Sequence, residues 1–222
     1  MSKENEMTTK VICFSGIDGS GKSSHARLML KELRAEGINC RYRWLRYPRF
    51  FSLIPEALYH LVGSTGKNES SFSSAKTYNA FHSNNAIIDL WLFFQWVDTF
   101  LITLKNVYLP TLFGYTIILD RCAIDTLIDN TVSLGKEKLI FGVVGKSFLK
   151  LIPNNSLILI FDVNVGVVVF RRRQTGDVDD VDILAKKRAL YMSLGKKHCW
   201  NIVSTCESFP EVHSKVMKLV QS

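Results

Sequence analysis

Apolar runs alternate with amphipathic stretches along this chain. Residues 10–15 (KVICFS) are a short β-branched and aromatic run, the signature of a buried strand. A glycine-rich turn follows at 16–21. Residues 22–36 then carry helical spacing, with Ala26, Leu30 and Leu33 near one face and Gly37 as the stop. Residues 38–45 (INCRYRWL) predict a second strand, and 50–62, entered near Pro55, an apolar helix. The stretch 63–74 (GSTGKNESSFSS) is polar and serine-rich and predicts a loop.

The alternation then resumes. Residues 75–109 are mainly helical, 115–119 (YTIIL) a strand ending at Asp120-Arg121, and 123–134 and 138–151 helices. Residues 156–163 (SLILIFDV) predict another buried strand. Asn164 is placed to cap a helix over 165–173. A polar loop spans 174–182, with a helix over 183–197 and a last strand over 201–204. Ser208 begins S-x-x-E with Glu211, a capping box that opens a C-terminal helix. Five apolar strands alternating with helices predict an α/β chain: a parallel sheet with helices on both faces, in three layers. Residues 1–222 are read as one domain, with 1–9 as a polar tail.

The chemistry is concentrated in one turn. Gly16-Ile17-Asp18-Gly19-Ser20-Gly21-Lys22-Ser23 fits G-x-x-x-x-G-K-[ST], with a strand before it and a helix after it, the context this phosphate-binding loop requires. Glycines let the backbone wrap a phosphate with its N–H groups inward, and the helix start adds a positive dipole end. Gly16, Asp18, Gly19, Ser20, Gly21, Lys22, Ser23 and Ser24 are therefore candidate ATP-binding residues. Lys22 supplies a cation to the terminal phosphates, and the Ser23 hydroxyl is a ligand for Mg²⁺.

Composition narrows the classes. Of the 222 residues, 28 are Lys or Arg and 20 are Asp or Glu, a formal charge of +8. That excess suits a polyanionic small substrate, an anionic membrane or nucleic acid. No block of five or six basic residues occurs, which counts against nucleic acid. Residues 86–109 are rich in Ile, Leu, Trp and Phe but interrupted by Asp89, Gln95, Asp98 and Lys105, and are read as a long core helix with no membrane role. Five scattered cysteines without a C-x-x-C pair indicate neither zinc nor a disulfide framework. A reducing, cytoplasmic setting is expected, with the cysteines as small apolar residues.

GIDGSGKSS resembles the phosphate loop of the thymidylate kinase family, P-loop nucleoside monophosphate kinases. Asp120-Arg121, the stretch FDVNVGVVVFRRR, Arg188-Ala189-Leu190-Tyr191 and the C-terminal NIVSTCESFPEVHSKVMKLV resemble that family's later motifs in order and spacing. The resemblance implies ATP-dependent phosphorylation of a nucleotide, dTMP first, with ATP and Mg²⁺ as cofactors. It implies that Asp18 faces the acceptor sugar and Arg46 holds the acceptor phosphate. Asp120 would hold the Mg²⁺ shell or orient the acceptor, and Arg121 would clamp phosphate oxygens. Arg171 would lie against adenine, while Arg172 or Arg173 would reach the phosphates from a lid over about 171–182. A homodimer is also implied.

Three departures fall on the acceptor side. Cys122 stands where the family has an aromatic residue. Tyr47-Pro48-Arg49 replaces Glu-Pro-Gly. The segment 93–100 (FFQWVDTF) lacks the family's base-reading arginine, which leaves Phe94, Trp96 or Gln95 to meet a base, or to be core. Gly19 occupies the place where some members put an arginine, so the transfer cation must come from elsewhere, such as the lid. A same-fold kinase with another acceptor (a different nucleotide, a nucleoside or a sugar phosphate) and a nucleotide-binding protein without turnover remain as alternatives.

Overall fold

The computed structural model describes residues 10–46, 50–53, 85–173 and 180–221. The expected tail, the serine-rich loop, nearly all of the helix expected over 50–62 and the lid loop at 174–179 lie outside these residues. So do the side chains of Arg172 and Arg173.

Five parallel strands form one sheet in the order β2-β3-β1-β4-β5: β1 Val11–Gly16, β2 Cys40–Trp44, β3 Thr116–Asp120, β4 Ser156–Asp162 and β5 Asn201–Ser204. Among the described residues the α-helices are α1 Lys22–Ala35, α2 Asn85–Thr103, α3 Leu109–Leu112, α4 Ala123–Ser133, α5 Val143–Leu149, α6 Val165–Arg173, α7 Val181–Lys197 and α8 Phe209–Gln221. The expected α/β architecture is therefore present.

The central strand explains the layering. Period-two alternation sends successive β1 side chains to opposite faces. Ile12 and Phe14 pack with Met29 and Leu33 of α1 and Val212 and Val216 of α8. Val11 and Cys13 pack on the other face with Ile124 and Leu127 of α4, Phe148 of α5 and Leu194 of α7. All six β1 residues are buried, which fits a strand covered on both sides. From β1 the chain builds β2 and β3 on one side, then crosses to β4 and β5 on the other. The crevice at such a switch point, beyond the strands' carboxyl ends, is where open α/β sheets take ligands.

Local signals in the sequence act as expected. Gly37, at φ 82°, ends α1, and Ile38 N–H closes back on Leu33 O at 2.9 Å. Asn164 Oδ1 accepts from Gly166 N–H at 2.8 Å, and Glu211 accepts from both the backbone and the hydroxyl of Ser208 at 3.0 and 2.6 Å.

Two expectations are corrected. The helix expected over 138–151 is broken: Glu137–Phe141 forms a 3₁₀ turn and α5 restarts after Gly142. The segment read as a core helix is core on one side only. α2 continues through a π-helical turn, Leu104–Tyr108, into α3. This run, Asn85–Leu112, is long and apolar enough to cross a membrane, and only 39% of its most apolar window is buried. Ile88, Trp91 and Leu92 pack against Leu134, while Leu90, Phe93, Phe100 and Leu101 face outward. Cys13, Cys40 and Cys122 are buried apolar residues as expected, but Cys199 and Cys206 are exposed.

Candidate active site

The phosphate loop joins β1 to α1 at the switch point. Gly16 has φ 140°, and a Cβ there would sit 2.5 Å from Phe161 O. The loop can cross β4 only as glycine. Gly19, at φ 80°, lies against Val168 of α6, leaving 3.0 Å for an added Cβ. Gly21 caps α1 in the left-handed region, which frees the first-turn N–H groups.

Lys22 is 4% exposed. Its ammonium folds back to donate to Ile17 O at 2.6 Å and Ser20 Oγ at 3.1 Å. Burial lowers its pKa to about 8, against the opposing pull of Asp125, Asp120 and Asp129. The lysine is thus tethered to the loop it serves, within the field of three carboxylates.

A polar cavity of about 400 Å³ opens in front of the loop, lined by Asp18, Gly19, Gly21, Lys22, Ser23, Ser24, Trp44, Arg46 and Arg121. The expectation puts Asp18 on the acceptor sugar and Arg46 and Arg121 on phosphate. Here they converge: Arg121 Nη2 donates to Asp18 Oδ1, and Arg46 Nη2 reaches Asp18 Oδ2 at 3.2 Å. Arg121 sits at φ 74°, an uncommon place for a residue with a side chain. Its guanidinium is anchored there by Asp18 and by Asp125, 3.5 Å away. A larger cavity, about 650 Å³, lies between Gly135 and Val144. It contains none of the phosphate-binding groups, so the smaller one is the candidate site.

Asp120 ends β3 with 1% exposure. Oδ2 accepts from the Tyr42 hydroxyl at 2.6 Å, while Oδ1 has no hydrogen-bond partner among the described residues. A polar oxygen left bare inside a protein is costly unless a ligand completes it. The Ser23 hydroxyl at the cavity wall and this free oxygen are oxygen donors of the kind Mg²⁺ prefers. Burial and the Asp120 carboxylate push the Tyr42 phenol up to about 12.

On the lid side, Arg171 Nη1 reaches Gly19 O at 3.4 Å, which ties the arginine run of α6 to the phosphate loop. The Arg-x-x-Tyr residues of α7 are structural cross-links. Arg188 forks onto Asp162 at 2.6 and 2.9 Å, and Tyr191 donates to Asp125 Oδ1 at 2.8 Å. Phe94 is half-buried with its ring 5.7 Å from Phe93, and it is not among the described residues lining the cavity.

Sequence reasoning missed several residues. Tyr42 and Trp44 share one face of β2, and Trp44 pairs with Asp120 in register, so the alternation of CRYRW was the available signal. Asp98 accepts from three backbone N–H groups, Phe50, Phe51 and Ser52, at 3.0, 2.9 and 2.9 Å, fixing the segment after β2. Nothing in the sequence around Asp98 signals that loop.

A thymidylate kinase from Ehrlichia chaffeensis, of known structure, superposes over 96% of this chain and 99% of its own, with a TM-score of 0.54 and 18% identity. The chain has the P-loop kinase fold. At that identity the likeness carries the fold and nothing finer. No protein-family model matches the sequence, and no curated protein does.

Proposed function

We propose that this protein is an ATP-dependent nucleoside monophosphate kinase, with dTMP as the leading acceptor. The observation that carries the reading is the convergence, in one polar cavity, of the phosphate loop with Lys22, the Ser23 hydroxyl and the Asp18–Arg46–Arg121 cluster. Phosphoryl transfer needs little covalent help from a protein. It needs in-line positioning and cations around the oxygens that take up charge.

The loop N–H groups and Lys22 bind the terminal phosphates of ATP. Ser23 and Asp120 would hold Mg²⁺, which would offset the negative charge of the phosphates. Arg46 and Arg121, now clasped by Asp18, exchange part of that contact for the acceptor phosphate. Arg171 extends from α6 toward the loop, a position that suits contact with the nucleotide, and Arg172 and Arg173 follow it as lid cations. Closure excludes water, the competing acceptor. No covalent enzyme intermediate is required.

The altered acceptor side favours keeping a second reading, a kinase of the same fold with another acceptor. The segment 93–100 offers no arginine to a base. Free cysteines fit a reducing cytoplasm.

The test is ADP release from Mg-ATP with dTMP, dUMP, the other nucleoside monophosphates, thymidine and simple sugar phosphates. Turnover with dTMP is expected, and Lys22→Ala should abolish it while the circular dichroism spectrum stays unchanged. Turnover with another acceptor alone moves the specificity and keeps the mechanism. ATP binding without turnover on any acceptor, or near-normal turnover by Lys22→Ala, would sink the kinase reading.

A further inference from the structure

The catalytic reading gives Asp120 a task but does not say what aims it. Its carboxylate ends an inner strand at 1% exposure, and a carboxylate on two rotatable bonds can present either oxygen. One hydrogen bond decides between them. Tyr42 stands on the neighbouring edge strand, and its hydroxyl donates to Oδ2 at 2.6 Å. Oδ1 is left free.

Tyr42 is itself held. The Arg27 guanidinium of α1 lies 5.8 Å from the centre of the phenol ring and interacts with its hydroxyl. Arg27 is one helical turn beyond Ser23, so both rise from the same side of α1. The chain Arg27–Tyr42–Asp120 thus links the helix carrying one expected metal ligand to the strand carrying the other, by way of β2.

We propose that Tyr42 is a positioning residue. By occupying Oδ2 it fixes the Asp120 carboxylate so that Oδ1 alone meets the divalent cation of the bound nucleotide, as a single-oxygen ligand. The proposal rests on the kinase reading only for the identity of the nucleotide. Outer partners that orient a ligand in this way commonly alter metal affinity by about tenfold or more when removed.

The test uses Mn²⁺ as a paramagnetic stand-in for Mg²⁺. Its retention on the ATP complex is read by electron paramagnetic resonance in the full chain and in Tyr42→Phe, Asp120→Asn and the double variant. Tyr42→Phe should weaken Mn²⁺ retention roughly tenfold. Binding of metal-free ATP should stay within about twofold, because the loop and Lys22 carry it. The double variant should be no weaker than Asp120→Asn alone, since a residue acting through another adds nothing once that one is gone. A merely structural role predicts the opposite pattern: a lower unfolding midpoint for Tyr42→Phe with wild-type Mn²⁺ affinity. That result, or losses that simply add in the double variant, overturns the proposal. Wild-type protein that holds Mn²⁺ and ATP but never turns over would defeat the kinase reading and leave this proposal standing. Wild-type protein that binds neither overturns both.

Discussion

Helices α4 and α2 break the usual inside-out rule in opposite senses. α4 hides polar groups: its residues from Ala123 to Thr131 are all buried, including Asp125, Thr126, Asp129, Asn130 and Thr131. α2 displays apolar ones. Leu90, Phe93, Phe100 and Leu101 are 38–57% exposed, while its buried face carries Gln95, Asp98, Thr99 and Thr103 beside Ile88, Trp91 and Leu92. Exposed apolar area is ordinary on proteins, but buried polar groups require partners. The contrast teaches where each helix finds those partners. In α4 the two carboxylates find them around the site, Asp125 through Ser15, Arg121 and Tyr191 and Asp129 through Lys187, while Asn130 and the Thr131 hydroxyl have none among the described residues. In α2, Asp98 finds them in the segment after β2, whereas the Thr99 hydroxyl turns back to Gln95 O of its own helix.

The largest test falls on α4. Asp125 is 2% exposed and binds Ser15 Oγ at 2.7 Å, Cys122 N at 2.9 Å and Tyr191 OH at 2.8 Å, with Arg121 at 3.5 Å. Asp125→Ala strips the buried guanidinium of one partner and leaves three donors unanswered. A loss of about 3–5 kcal/mol is expected, read from the urea unfolding midpoint. A loss under about 1 kcal/mol would mean that the buried polar face is not structural, and the comparison would fail.

Next comes the lysine these carboxylates surround. Lys22 has a pKa of about 8, lowered by burial. Phosphate oxygens favour its charged form. Below pH 8 the ammonium is already in place, whereas above it ATP must bring a proton in. ATP affinity is therefore expected to fall by up to about tenfold per pH unit above 8, with proton uptake approaching one per ATP. Calorimetric titration in two buffers of different ionisation heat measures that uptake. Zero uptake at pH 9 would mean that the lysine does not meet the phosphates.

Smaller still is the effect at Asn130, whose two amide atoms are buried without a partner among the described residues. A structural orphan costs stability, and an apolar residue of similar size relieves it. Asn130→Leu should raise the unfolding free energy by about 1 kcal/mol. If it instead lowers acceptor affinity at unchanged stability, the orphan amide is a substrate contact, and α4 reads the acceptor.

The same contrast explains what was legible beforehand. The phosphate loop is local: one strand, one turn and one helix start carry all of its chemistry in consecutive residues, so Gly16 to Ser24 could be read directly. The strand count, the Asn164 cap and the Ser208–Glu211 box are local too. Tyr42 on Asp120 and Tyr191 on Asp125 join residues far apart in sequence, and strand register and helix packing put them together. The burial of α2 departs from the core helix its composition suggests for a related reason. Apolar content alone does not say which face is covered, and the inward Gln95, Asp98 and Thr99 are the residues a hydropathy reading assigns to solvent.

The last prediction concerns α2 alone and is the smallest in stability. Leu90, Phe93, Val97, Phe100 or Leu101, and Leu104 recur every three or four residues, the spacing of a seam between packed helices. Of these, Leu90, Phe93, Phe100, Leu101 and Leu104 are exposed. The expected homodimer would bury this seam against its copy. Phe93→Gln with Leu101→Gln removes apolar surface that the single chain leaves in water, so the monomer's unfolding free energy should move by no more than about 0.5 kcal/mol per site. Sedimentation should then show the wild type as a dimer and the double variant as a monomer, with phosphate-loop ATP binding unchanged. A loss of several kcal/mol would mean that the seam is covered within one chain, and α2 would return to the ordinary core helix its composition suggested. An unchanged dimer at unchanged stability would place the pairing surface elsewhere and leave the apolar face of α2 without that role.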